Sequence, residues 1–150
     1  MRRAIAPVLA AMALAGCGAG GDEDYEEAVK SYFSEEIAAT EAYEAAAEEA
    51  EDLDEFADVL EEGLAGSERR LADFRAEADP PDEDRDLHED LVETVEEELR
   101  LGDEYVSAAR AGDEARIDAL DAELEPVLER FPRLQRRFDD AGYDVELPTP

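Results

Sequence analysis

The chain has 150 residues, of which 14 are basic and 45 acidic, giving a formal charge of −31. So negative a surface excludes a nucleic-acid binder that works by neutralising phosphates, because that needs a basic face. The single cysteine excludes an intramolecular disulfide framework, so any fold must rest on apolar packing alone.

Taken in chain order, the first element is a targeting segment. Arg2 and Arg3 form a positive start, and Ala4 to Ala15 is an apolar run interrupted only by Pro7. That run is too short to span a bilayer as an ordinary helix, and its order of parts is that of a secretory signal. The run ends Leu14-Ala15-Gly16-Cys17, which resembles the lipobox of bacterial and archaeal lipoproteins: a leucine three positions before an obligatory cysteine, with two small residues between. The resemblance implies that residues 1–16 are cut away. It also implies that the Cys17 thiol takes a diacylglyceryl group, and that a further acyl chain such as palmitate is often added to the new amine. Two or three chains, at roughly 0.8 kcal/mol per buried CH2, hold a protein firmly on a membrane. The expected location is the outer face of the cytoplasmic membrane, or a periplasmic membrane face. The simpler alternative makes Cys17 a small residue in an ordinary cleavable signal or an uncleaved anchor. Arg2-Arg3 hints at twin-arginine export, but Ala4-Ile5-Ala6 lacks the rest of that pattern, which favours Sec.

Loss of the signal removes two of the 14 basic residues and none of the 45 acidic ones, so the charge of −31 becomes −33. Self-repulsion on this scale destabilises a compact state in dilute salt, and ions at about 1 M, where the Debye length is roughly 3 Å, relieve it. With Lys30 as the only lysine, the composition suits an exported protein from a salt-loving or high-GC organism.

Residues 17–21 read as the lipidated cysteine with a short flexible tether. Residues 22–142 read as an acidic helical domain, and residues 143–150 as a C-terminal tail. A first apolar stripe, Tyr25, Val29, Phe33, Ile37, Thr40, Tyr43 and Ala47, recurs at three and four and predicts a helix from about Asp22 to Ala50. Glu51-Asp52-Leu53-Asp54 offers an N-cap to a second stripe, Leu53, Phe56, Leu60, Leu64, Ser67, Leu71, Phe74 and Ala78, which Asp79-Pro80-Pro81 ends. Asp82 can cap a third helix carrying His88, Leu91, Val95, Leu99, Gly102, Val106 and Ala109, with Ala111-Gly112-Asp113 as the stop and next start. The fourth stripe, Ile117, Leu120, Leu124, Leu128, Phe131, Leu134 and Phe138, contains Pro126 and Pro132, which can bend or divide it, and closes at Gly142. The expectation is an all-α fold, an antiparallel up-down-up-down four-helix bundle following a cleaved lipoprotein signal peptide. A pair of long hairpins is the alternative arrangement. The mature chain also resembles a loosely defined group of exported helical lipoproteins through Pro80, Pro81, His88, Leu91, Val92 and Ala111-Gly112-Asp113. That group has no assigned activity, so the resemblance implies a fold and an address rather than a chemistry.

Candidate sites are few. His88, the only histidine, lies on an apolar stripe; it could serve as a metal ligand or a pH-sensitive group. More simply, its ring packs beneath the Pro80-Pro81 turn and donates to a backbone carbonyl, since a lone imidazole makes a poor transition-metal site. A di-iron bundle needs Glu-x-x-His, and Arg85 stands three before His88. Asp82, Asp84, Asp86, Asp90 and Glu93 fall at positions 1, 3, 5, 9 and 12 of an EF-hand count, a pattern suited to calcium. Leu87 stands where the turn needs glycine, however, and Glu89 replaces an apolar residue. Asp82, Asp84, Asp86 and His88 are thus the candidate ion ligands. Other acidic runs, including Glu96-Glu97-Glu98, read as solvated faces. Arg130, Arg133, Arg136 and Arg137 concentrate positive charge, either to pair with carboxylates of neighbouring helices or as a contact patch for an acidic partner or lipid headgroup.

No serine sits in a triad setting and no glycine-rich phosphate loop occurs. The sequence therefore points to a non-enzymatic, membrane-anchored lipoprotein without a cofactor. It would act as a binding or structural module toward an unidentified protein partner, with divalent-ion binding as the alternative.

Overall fold

A computed structural model describes residues 21–148, and the signal, Leu14 to Gly16 and Cys17 lie outside the described residues. The described chain is all-helical: α1 (Gly21–Glu49), α2 (Leu53–Glu77), a 3-10 turn (Asp82–Asp84), α3 (Arg85–Ala111), α4 (Glu114–Leu128) and α5 (Phe131–Ala141). Helix α1 packs on α2, α2 on α3, and α3 on both α4 and α5, so α3 is the central helix of the bundle. No described helix is long and apolar enough to cross a membrane.

Local chemistry sets the helix ends. The Asp52 carboxylate accepts from the Glu55 backbone N–H at 2.9 Å, while Glu55 Oε2 accepts from the Glu51 N–H at 2.9 Å. One amide donor in the first turn of α2 and one just before its cap are thereby satisfied. Helix α3 stops at Gly112, whose φ of 61° lies in the left-handed region, and Asp113 then caps α4 by accepting from the Arg116 N–H at 3.1 Å. Gly142, at φ 91°, ends α5 in the same way, with the Tyr143 N–H returning to the Phe138 carbonyl at 3.0 Å.

The fourth stripe is divided, as the prolines within it allow: Pro132 cannot donate to the Leu128 carbonyl and its ring crowds that oxygen, so α4 ends at Leu128 and α5 begins at Phe131. Asp82 does not cap α3; it opens the 3-10 turn and accepts from Arg85 Nε at 3.0 Å. Residues 143–147, the first part of the C-terminal tail, pack into the bundle. Tyr143, Val145 and Leu147 are buried while Asp144 and Glu146 are exposed, an alternation of period two. Gln135 holds this strap by donating to the Val145 carbonyl and accepting from the Leu147 N–H, both at 2.8 Å.

The strap completes the larger core, which joins Tyr25, Val29, Tyr32 and Phe33 of α1 to Leu71 and Phe74 of α2, Leu87 to Val95 of α3, and Phe131, Leu134 and Phe138 of α5. Smaller clusters around Leu101, Leu120 and Val127, and around Ala57, Val106 and Ala109, hold α4 and the start of α2 against the far half of α3. The second half of α1 contributes little, because its alanine-rich turns from Glu41 onward are mostly exposed.

Candidate functional site

The ion-binding expectation falls on residues that the fold sends to separate partners. Asp82 pairs with Arg85, Asp86 is exposed, and Asp84 accepts from the Tyr143 hydroxyl at 2.6 Å. Asp90 pairs with Arg137, and Glu93 lies 3.9 Å from Arg130. His88 packs edge-on to Tyr25 and against Phe74, with Nδ1 3.4 Å from the Tyr25 hydroxyl rather than on a backbone carbonyl. Burial and the nearby Arg75 hold its pKa below the usual imidazole range, against a smaller upward pull from Glu89. Among the described residues no group of three or more His, Cys, Asp or Glu side chains is placed to hold a metal ion. Asp82, Asp84, Asp86 and His88 are therefore not brought together as a ligand set.

The arginine cluster divides. Arg130 and Arg137 reach carboxylates of α3, and Arg133 Nε donates to the Glu129 carbonyl at 3.1 Å. Arg136 is exposed. Internal pairing accounts for two of the four.

A different polar site lies at mid-height between α1, α2 and α3. Glu36 of α1 accepts from the Ser67 hydroxyl and, at 2.7 Å, from Arg70 Nε of α2. Arg70 also donates to Ser67 Oγ at 3.1 Å, closing a three-member network. Tyr32, one turn before Glu36, has a fully enclosed hydroxyl with no protein partner. Burial first, and the Glu36 and Glu98 carboxylates second, push its pKa upward. Facing this network from α3 is Glu98, which takes no part in the ion pairs of the described residues, since the Arg70 guanidinium is engaged by Glu36. Desolvation, reinforced by the Glu36 charge, pushes the Glu98 carboxyl up to about 7.

Glu98 is also on the wall of a cleft of about 300 Å³ that opens toward α4. Phe56, Leu60 and Leu64 of α2, Leu101 of α3, and Leu120 and Leu124 of α4 make most of its surface apolar, while Tyr43 closes the α1 side. Its polar groups are Glu98, Asp121 and the phenols of Tyr43 and Tyr105. Tyr105 is hydrogen-bonded to Asp121, and both burial and that carboxylate raise its pKa. Gly102 permits the close approach of α2 here: a Cβ at this position would stand 2.5 Å from Leu64 Cδ2. A cavity of this size, apolar with a few convergent polar groups, has the character of a small-molecule site. A larger groove of about 610 Å³ between α2 and α3 is shallow and charged, and its rim is self-paired through Arg75 with Glu96 and Arg100 with Glu97.

The sequence reads Glu96-Glu97-Glu98 as a solvated run, and the structure divides it: Glu96 is exposed, while Glu98 turns inward. A signal for this was present. Leu87, Leu91, Thr94, Glu98, Leu101, Tyr105 and Ala108 recur at four and three, a second stripe beside the one through His88 and Leu99. Glu98 is the one acid in it. Compared with known proteins, the chain matches no family model, no curated protein and no solved structure.

Proposed function

We propose that this protein is a non-enzymatic binding module, held by lipid on Cys17 at the outer face of a membrane, whose binding locus is the apolar cleft between α2, α3 and α4. The observation that carries the reading is the cleft itself, a volume of about 300 Å³ lined by leucines and Phe56 with carboxylates at two points. Its lining offers carboxylates and phenols as the polar groups that an occupant would meet. The lipid attachment is supported by the order of charge, apolar run and Leu14-Ala15-Gly16-Cys17 alone. The short connectors at Ala50 to Asp52 and Gly112-Asp113 support an antiparallel up-down-up-down course.

Two measurements test the proposal together. Metabolic labelling with an alkyne fatty acid should mark the wild-type chain and fail on Cys17→Ser, which should leave the membrane fraction. A neutral apolar fluorophore such as N-phenyl-1-naphthylamine should brighten saturably with the wild type. Leu124→Trp, which fills the cleft, should abolish that signal. Labelling that persists on Cys17→Ser refutes the anchor, and fluorescence indifferent to Leu124→Trp refutes the locus.

A further inference from the structure

The cleft has a charge asymmetry that its apolar lining does not explain. Glu98 enters from α3 and Asp121 from α4, while none of the 11 residues around the cavity is cationic. The positive side chains near by are engaged elsewhere: Arg70 with Glu36 and Ser67, and Arg116 with Glu104 and Glu123. Glu98 is held in a low-dielectric setting against a second carboxylate, Glu36, so an incoming positive group would meet an acid with no competing protein partner. A neutral or anionic occupant would leave that acid unmatched or repelled.

We propose that the cleft binds a small organic amine, its cationic head against Glu98 with Asp121 as the second carboxylate, and its hydrocarbon body among Leu60, Leu64, Leu120 and Leu124. This rests on the reading of the cleft as the binding locus and adds the chemical class of the ligand. Size agrees with charge: about 300 Å³ accepts one aromatic or short branched hydrocarbon group and excludes a folded peptide segment. The surrounding field of a chain at −31 raises the local concentration of cations at the cleft mouth without selecting among them. Selection comes from the inward carboxylate.

The test uses the full chain in zwitterionic lipid nanodiscs, titrated calorimetrically at about pH 8 against empty nanodiscs. Three matched probes serve: 4-phenylbutylamine, 4-phenylbutanol and 4-phenylbutyrate. The expected result is one amine per chain, bound about tenfold more tightly than the alcohol, as a charge-assisted hydrogen bond implies, with no binding of the carboxylate. Glu98→Gln should bring the amine to the level of the alcohol while changing the net charge by only one. Asp121→Asn, on the exposed face of α4, should weaken the amine by a few fold with the helical fold intact, and so keeps the test open should Glu98→Gln fail to fold. Equal binding of amine and alcohol to the wild type overturns the amine assignment and leaves the apolar locus standing. Amine affinity unaltered by both variants assigns the binding to the general surface charge and overturns the proposal. Saturable binding of neither the amine nor the alcohol removes the locus as well.

Discussion

Glu98 gives this fold an unusual dependence on pH. Its carboxyl is raised from 4.5 to about 7 in the folded state, chiefly by desolvation. Between those values the folded chain holds a proton that the unfolded chain has released, so stability is fully present below about pH 4.5 and is lost as pH rises through 7. At 1.36 kcal/mol per pKa unit the loss amounts to about 3 kcal/mol on going from about pH 4 to about pH 8. That is a large share of the net stability of a domain of this size, and corresponds to roughly 10 °C in Tm. Glu98→Gln keeps the shape and removes the titration. Urea denaturation of the wild type and Glu98→Gln across this range should therefore show a difference that grows by about 3 kcal/mol in favour of the variant toward alkaline pH. Comparing the two proteins cancels the contribution of the other carboxylates. A difference that stays flat, or one that grows toward acid, would refute the placement of Glu98 in a desolvated site facing Glu36.

The remaining expectations concern the core, the strap and the surface. Phe138 is fully enclosed among Tyr25 and Tyr143, so Phe138→Ala should lower the unfolding free energy by about 3–5 kcal/mol in chemical denaturation. Leu147, 2% exposed, should behave as a core residue despite its position, and Leu147→Ala should lose about 2–4 kcal/mol in the same assay, whereas a loose tail would lose nothing. His88 has a folded pKa below 6.5, so the unfolded chain takes up its proton first and stability falls as pH drops below that value. Placing His88→Gln in the Glu98→Gln background should flatten that acid-side slope in pH-dependent melting. At a net charge of −31 the melting temperature should climb as NaCl goes from dilute to about 1 M, and no climb would remove self-repulsion as a determinant of this fold.

Much of the bundle is written in periodicity. Tyr25, Val29 and Phe33, then Leu71 and Phe74, then Leu120, Phe131, Leu134 and Phe138 were all placed on apolar faces by spacing, and all are buried. Helix ends followed from Asp52, Gly112 and Gly142, whose chemistry is local and does not depend on neighbours. What spacing could not reveal was which of two stripes on α3 faces inward. The answer is that both do, because α2, α4 and α5 all pack against α3. Reading a single stripe through Leu99 left Glu98 among the solvated acids. The strap was missed for a related reason: Tyr143, Val145 and Leu147 follow the period of an extended strand, and a lone extended segment lacks a partner strand to announce it. Its partner is the Gln135 side chain, three residues before the Phe138 that it covers. Leu53, at the opposite extreme, satisfies the helical spacing and is exposed, since it begins α2 where only the sparse end of α1 stands near it.

The distribution of arginine connects the fold to the proposed ligand. Arg75 and Arg110 tie α2 and α3 together, Arg116 ties α4 to α3, and Arg130, just before α5, and Arg137 within it tie that end of the chain to α3. Each is a surface pair that contributes at most about 1 kcal/mol, yet together they place positive charge wherever an acidic helix must lie against α3. Glu98 is left out of this pattern, although burial pushes its carboxyl up and a positive partner would offset that cost. Arg70 is held instead by Glu36, which leaves the inward face of α3 anionic where it meets the apolar cleft. An amine seated there would bind only the folded chain and so restore stability in proportion to its own affinity. The same missing countercharge that weakens the bundle at alkaline pH is thus what fits its cleft to a cationic guest.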